Sequence, residues 1–293
     1  SVRRLARELN VDLSGIRGTG IAGRITEDDV RKAKSGGVME RIKVTKPAGA
    51  KITKKYDMYG YIEHVPLKGI RKATAKKMVQ AVSTAAHVTH MDNADVTELV
   101  KIREKEKLNA EKKGIKLTYM PFIVKAVIAS LKEHHYLNSS MDDEHEEIIL
   151  KKYYNIGVAV DMKGGLIVPV IKGADQKSIL ELAKEIQELA KKAEERSLDM
   201  ADLKGGTFTI TNIGALGGTY ATPIVNYPEA AILGTGRIRD RALIKDGKIA
   251  SRKILPLSLS FDHRILDGAE AARFTNDLIK RLEDPDILLI EGD

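Results

Sequence analysis

The sequence predicts an α/β protein, with a mixed-sheet domain over residues 63–293 preceded by a small all-α module over residues 1–36. From Glu63 onward, segments of helical spacing alternate with short apolar runs rich in β-branched residues. Two short helical patterns precede them, and residues 37–62, with Lys46-Pro47-Ala48-Gly49 and Lys54-Lys55, show no sustained period and read as a flexible linker. A length of 293 residues fits one large domain and one small module.

In the first module Val2, Leu5, Ala6 and Leu9 repeat at helical spacing, and Thr26 with Asp29 marks the capped start of a second helix. In the large domain residues 70–86 predict a helix with Ile70, Ala73, Met78 and Ala81 available for packing. Asp95 with Glu98 resembles a cap for a helix that stops at Gly114, and Pro121 opens another over residues 121–135. Residues 156–160 and 166–170 read as strands joined at Gly164-Gly165. Ile179, Leu182, Ala183, Ile186, Leu189, Ala190 and Ala193 keep one apolar stripe, the clearest helix in the chain. Residues 207–213 alternate as a strand, and Asp246-Gly247 suits a hairpin turn between strands on either side. Leu255–Phe261 forms the last strand, with a helix from Gly268 to about Asp284 after it. The sheet is expected to be largely antiparallel or mixed.

Hydrophobic residues make up 43% of the chain, enough for a substantial core. With no cysteine there is no disulfide, thiolate nucleophile or cysteine-bound metal. A net charge of +8 favours anionic partners, but aromatics are only 4% and tryptophan is absent, a poor basis for stacking single strands, so nucleic acid is not expected as a partner. No apolar run reaches membrane-spanning length. The lack of cysteine suits the cytoplasm, and Ser1 in place of a start methionine fits a processed or excised piece. Gly18-Thr19-Gly20-Ile21-Ala22-Gly23 spells a dinucleotide fingerprint, but no strand precedes it and no βαβ unit surrounds it. His87 and His90 fall on opposite faces of an expected strand, and His134-His135 ends a helix with no clear ligand set, so no metal is expected.

The segment Asp262-His263-Arg264-Ile265-Leu266-Asp267-Gly268 stands where an apolar strand stops and a helix begins. The residues alone leave two roles open for His263: a general base near neutral pH, or a core histidine beside a helix capped by Asp267 with Glu270. His-x-x-x-Asp-Gly after an apolar strand resembles the signature of the chloramphenicol acetyltransferase and dihydrolipoyl acyltransferase superfamily. Further blocks resemble the dihydrolipoyl branch in order: Asp95–Leu99, Gly165–Val170, Gly205–Gly214 and Pro223–Gly234. Residues 1–36 resemble the peripheral subunit-binding domain of the same enzymes, through Ser1–Glu8, Gly18-Thr19-Gly20 and Gly23-Arg24-Ile25.

This resemblance implies a chloramphenicol acetyltransferase-like catalytic domain that moves an acyl group between a dihydrolipoyl thioester and coenzyme A. Coenzyme A would be a substrate, and the lipoyl group would ride on a domain these residues do not contain. A thiol with a pKa of about 8.5 is only a few per cent ionised at pH 7, so a base is useful, and the resemblance gives that role to His263. It gives the oxyanion to the Thr211 hydroxyl, where the family commonly has serine, and an orienting role to Asp267. Coenzyme A contacts are implied at Arg103, Thr118, Asp161, Asn212 and Gly236. Contacts with a 2-oxo acid decarboxylase or dihydrolipoyl dehydrogenase are implied at Arg3, Arg7 and Arg24. A homotrimer assembling into a large cage, with active sites between subunits, is also implied, in the cytoplasm or in the mitochondrial matrix of a eukaryote. The run Gly206–Gly214 with Gly217-Gly218-Thr219 looks most like branched-chain enzymes, acetyl transfer being the alternative. A free-standing acyltransferase and a non-catalytic scaffold are the rival readings; the docking module opposes the first, and retention of His263, Asp267 and the Thr211 hydroxyl opposes the second.

Overall fold

In the computed structural model the long strand β13, Lys248–Asp262, organises the large domain. The structure describes residues 2–9, 11–13, 18–20, 24–34, 53–162, 164–245 and 247–290. Two compact units emerge, residues 1–66 and 67–293.

In the first unit, helices α1 (Val2–Glu8) and α2 (Glu27–Lys34) bury Ala6 and Val30. Thr26 and Asp29 form the expected reciprocal cap: Asp29 N–H donates to Thr26 Oγ1 at 3.3 Å and Thr26 N–H to Asp29 Oδ2 at 2.8 Å. Asp29 also accepts from the Thr19 amide and hydroxyl at 3.0 and 2.7 Å. These donors hold its carboxyl well below the usual carboxylate range. The linker expectation needs correction at its end. Thr53–Tyr56 (β1) and Tyr61–His64 (β2) pair as an antiparallel hairpin turned by Asp57 and Gly60, because Asp57 Oδ1 accepts from the amides of Tyr59 and Gly60. Residues 37–52 lie outside the described residues.

The second unit contains a seven-stranded mixed sheet in the order β12-β13-β11-β10-β6-β9, with β3 on the other edge of β13. Its members are β3 (His87–Asp95), β6 (Ile156–Val158), β9 (Val170–Ile171), β10 (Phe208–Asn212), β11 (Ala231–Thr235), β12 (Arg239–Lys245) and β13. The central pairs β6–β10 and β10–β11 are parallel; the others are antiparallel. β13 is longer than Leu255–Phe261 because its charged first half pairs with β12 across the turn at Gly247, where φ is +73°. Each expected strand around Gly164-Gly165 breaks in two, Val160–Met162 (β7) and Gly165–Ile167 (β8) forming a separate hairpin. Ser139–Asp142 (β4) and Glu147–Leu150 (β5) form another.

Helices α4 (Thr97–Glu111), α5 (Met120–Glu133), α6 (Ile179–Glu195) and α7 (Gly268–Glu283) pack on the sheet and on one another, and α8 (Pro285–Ile290) follows. α5 is the most deeply embedded, burying Phe122, Ile123, Val124, Val127, Ile128 and Leu131. The expected Asp95 cap is not made. Val96 precedes α4, and Asp95, which pairs with Arg252, accepts from the Thr97 amide and hydroxyl at 3.2 and 2.5 Å rather than from Glu98. Of the stripe expected on Gly69–Thr84 (α3), only Ala81 is buried; Ile70 and Ala73 are exposed. Among the described residues no helix is long and apolar enough to cross a membrane.

One buried carboxyl stands beside the central strands. Glu229 accepts from the Thr209 hydroxyl at 2.6 Å and from Asn226 Nδ2 at 2.8 Å, and Lys77 Nζ donates to Asn226 Oδ1 at 2.6 Å. A Cβ on Gly206 would lie 2.7 Å from Glu229 Oε1, so the glycine makes room for the carboxyl. Burial raises Glu229 to about 7 despite these hydrogen bonds. A raised carboxyl stabilises the fold fully below its unfolded value near 4.5, and that contribution is lost as pH rises through about 7. Glu229→Gln is therefore expected to flatten the decline of melting temperature between about pH 5 and pH 8. Thermal unfolding of both proteins across that range checks this, and an unchanged slope contradicts it.

Candidate active site

His263 opens the turn between β13 and α7. Its amide donates to Ala86 O at 2.8 Å, and its ring stacks against Phe261 with centroids 5.9 Å apart. The ring is exposed in the single chain. The turn is stiff because the buried Asp262 gathers the surrounding donors: Ala86 N–H and Arg264 N–H, each at 3.1 Å, and the Arg264 guanidinium at 2.7–3.0 Å. Arg264 reaches on to Asp143 Oδ1 at 2.6 Å, and the other oxygen of Asp143 accepts from the Tyr227 hydroxyl. Nearby His87 uses both ring nitrogens, Nδ1 to Ala85 O and Nε2 accepting from Val225 N–H, each at 3.0 Å, which makes it the Nδ1-protonated neutral tautomer.

Asp267 caps α7, accepting from Glu270 N–H at 2.7 Å. The Glu270 carboxylate pairs with His134 and Arg273. Asp267 therefore fixes where the helix begins, four residues beyond His263.

Thr211 lies elsewhere in the chain. It is half-buried on β10, and among the described residues its hydroxyl has no hydrogen bond. Thr211 sits opposite Gly234, and Gly234 opposite Ser258. His263 comes five residues after Ser258, so the two side chains are separated by roughly 16 Å along the strands. They belong to opposite ends of the sheet, and a single chain does not bring them together.

The expected coenzyme A residues cluster on the Thr211 side. Asn212 and Gly236 line a cavity of about 300 Å³ with Tyr119, Ile123, Gly214 and Leu255. Arg103 lies over the Tyr119 ring at 5.3 Å and donates to Leu117 O at 3.0 Å, adjacent to Thr118. Asp161 is exposed on β7 and does not line the cavity. In the first unit Arg3, Arg7 and Arg24 are exposed, and Arg3 and Arg7 line a shallow cleft with Val11 and Asp12.

Sequence reasoning missed two polar clusters. The Glu229 network left one signal, an acidic residue inside the apolar run Pro228–Gly234. The other joins His134 to Glu270 and Asp277. Glu133, His134 and Asp277 place donor atoms within 4.8 Å of one another, a geometry a metal ion could use. Both ring nitrogens are already taken by carboxylates, and Arg281 pairs with Glu133, so the positive charge is supplied from within.

A mixed α/β catalytic core carrying a histidine at a strand-to-helix turn, preceded by a two-helix module, defines the class. The family model for the catalytic domain of 2-oxoacid dehydrogenases acyltransferase matches residues 60–290, and that for the e3 binding domain matches residues 1–31. The chain belongs to the 2-oxoacid dehydrogenase acyltransferase family, and it is an acyltransferase. The acetyltransferase component of the pyruvate dehydrogenase complex of Bacillus subtilis is 45% identical over 303 residues, covering 100% of this chain and 67% of that protein. The solved dihydrolipoamide acetyltransferase of Azotobacter vinelandii, investigated for the role of a serine, a histidine and an asparagine in its catalytic mechanism, is 46% identical. It superposes with a TM-score of 0.76 over 79% of this chain and 95% of its own. A structure of the cubic core of the pyruvate dehydrogenase multienzyme complex gives 45% identity and a TM-score of 0.77, with the same coverage of 79% and 95%.

Gly236 has a packing role apart from any ligand, since a Cβ there would lie 2.0 Å from Thr219 O. Gly236→Ala is expected to destabilise the fold by about 1–3 kcal/mol. Denaturant unfolding measures this, and an unchanged midpoint contradicts the packing account.

Proposed function

We propose that the chain transfers acetyl groups between a dihydrolipoyl thioester and coenzyme A at sites shared by neighbouring subunits of a homotrimer. The observation that carries this is the separation of His263 and Thr211 to opposite ends of one sheet, which leaves each chain with two half-sites. The spacing of residues supports the roles. In the Azotobacter vinelandii enzyme the histidine follows the serine by 52 positions and precedes the asparagine by four. Thr211, His263 and Asp267 repeat that spacing, with threonine for serine and aspartate for asparagine.

In this reaction the neutral His263 imidazole takes the proton of the coenzyme A thiol, and the thiolate attacks the thioester carbonyl. The tetrahedral oxyanion accepts a hydrogen bond from the Thr211 hydroxyl. Collapse re-forms the carbonyl and expels the dihydrolipoyl sulfur, which receives the proton from the imidazolium. Asp267 sets the start of α7 and with it the His263 turn. Asn212, Gly236, Arg103 and Thr118 bind coenzyme A in and beside the cavity on the Thr211 side, where Arg103 meets a phosphate. Asp161, exposed on its hairpin, accepts from a group of coenzyme A outside that cavity.

The branched-chain expectation gives way to acetyl transfer, because relatives 43–45% identical to this chain are acetyltransferases of pyruvate dehydrogenase complexes. In the Gly206–Gly214 run that suggested it, both end glycines have packing roles, Gly206 beside Glu229 and Gly214 beside Gly236. The cubic core of a related complex supports assembly of trimers into a cage. Residues 1–36 form the docking domain, with Arg3, Arg7 and Arg24 meeting acidic surfaces of the decarboxylase or the dihydrolipoyl dehydrogenase; residues 37–62 connect it to the catalytic domain of residues 63–293.

An acyl-transfer assay with acetyl, isobutyryl and succinyl thioesters tests this reading, with acetyl expected to turn over fastest. In the same assay His263→Ala is expected to lose roughly 10²–10⁴ in rate, and Thr211→Val about 10²–10³. Faster isobutyryl transfer would overturn the acyl assignment, and near-normal turnover of either variant would overturn its role.

A further inference from the structure

We propose that His134 is a positioning residue for the reaction: as an imidazolium it clamps Glu270 and Asp277 of α7 and fixes the helix start from which the His263 turn hangs. The inference rests on His263 being the base.

His134 ends α5, with its side chain about nine-tenths buried. Nδ1 lies 2.9 Å from Glu270 Oε1 and Nε2 lies 2.6 Å from Asp277 Oδ2, while Phe274 meets the ring edge-on at 5.8 Å. A neutral imidazole donates from one nitrogen only and would turn a lone pair on the other carboxylate. Two ionised carboxylates, one on each nitrogen, therefore require both N–H groups. Burial opposes the charge, but the bonds to Asp277 and Glu270 outweigh it, and the net direction is upward. The other charged groups at the cluster are Glu133, which pairs with Arg281, and Arg273, which pairs with Glu270.

Glu270 and Asp277 lie seven residues apart, two turns along one face of α7. The clamp thus holds the first two turns of that helix against the end of the most buried helix. Glu270 N–H is also the donor that Asp267 caps, and Ile265 and Leu266 donate back to Asp262 O at 3.0 and 3.1 Å. Two adjoining hydrogen-bonded segments, one from Asp262 to Leu266 and one from Asp267 to Glu270, lead from the His263 turn into α7. Loss of the imidazolium takes the shared cation from Asp277, leaves Glu270 with Arg273 alone, and loosens the helix start on which the His263 turn rests. Because the bonded ring is favoured charged, the clamp is complete below the ordinary histidine value of about 6.5 and is lost as pH rises through the raised one.

The test uses the full chain. Nitrogen-15 NMR of histidine-labelled protein, with the His134 signals assigned by their disappearance in His134→Gln, is expected to show both ring nitrogens protonated at pH 7. A neutral ring overturns the clamp. In acyl-transfer kinetics His134→Gln is expected to lower kcat on the order of 10- to 100-fold, leave KM for coenzyme A unchanged, and remove an alkaline decline seen in the wild type. Asp277→Asn is the second variant should the first not fold, with a smaller fall in kcat. A folded variant with wild-type kcat across the pH range overturns the positioning role. Turnover retained by His263→Ala would instead sink the base assignment and the catalytic half of the proposal, while the NMR signals still report the clamp.

Discussion

A buried carboxylate must be surrounded by donors or it costs several kcal/mol, and Asp262 is buried with donors on every side. Arg264 satisfies it from two residues away and carries the connection to Asp143 and Tyr227, while Ala86 ties it to the segment before β3. The geometry of the His263 turn follows from this arrangement. The apolar strand behind it, from Ile254 to Phe261, is buried and cannot shift without exposing core. Asp267 fixes the helix after it. A histidine with an exposed ring is thereby held on a rigid base, the arrangement a shared catalytic site needs.

The topology of the sheet explains why the proposed site takes two chains. β10 and β11 run parallel, and β13 returns antiparallel beside them, so the end of β13 and the end of β10 point in opposite directions. Thr211, Asn212 and the cavity with Gly236 stand at one end; His263 stands at the other. Attack of a thiol on a thioester carbonyl requires reacting atoms about 3–3.5 Å apart. In the proposed trimer, repetition about a rotation axis is what would let one subunit's histidine meet the next subunit's threonine.

Much of this was legible in sequence. The strand-to-turn-to-helix setting of His263 and the stripe on α6 were readable because each is local, depending on residues three to seven apart. The limits are also physical. Asp95 has the spacing of a cap, yet Arg252, far along the chain, takes its carboxylate. β13 reads in the sequence as two pieces, a strand after the Asp246-Gly247 turn and Leu255–Phe261, because Arg252 and Lys253 interrupt the apolar pattern of what is one strand paired with β12 and β3. Glu229 reads as a surface residue after proline until the fold closes over it. The His134 clamp joins positions 136 and 143 residues apart. Clusters of this kind leave almost no trace in local spacing.

The shared site is most directly tested by mixing two variants, each lacking one half. His263→Ala and Thr211→Val chains, dissociated together and reassembled in equal amounts, form mixed trimers in which some interfaces pair an intact histidine with an intact threonine. The account predicts recovery of about a quarter of wild-type turnover from two nearly inactive parents. Turnover no greater than the mean of the two parents would contradict it.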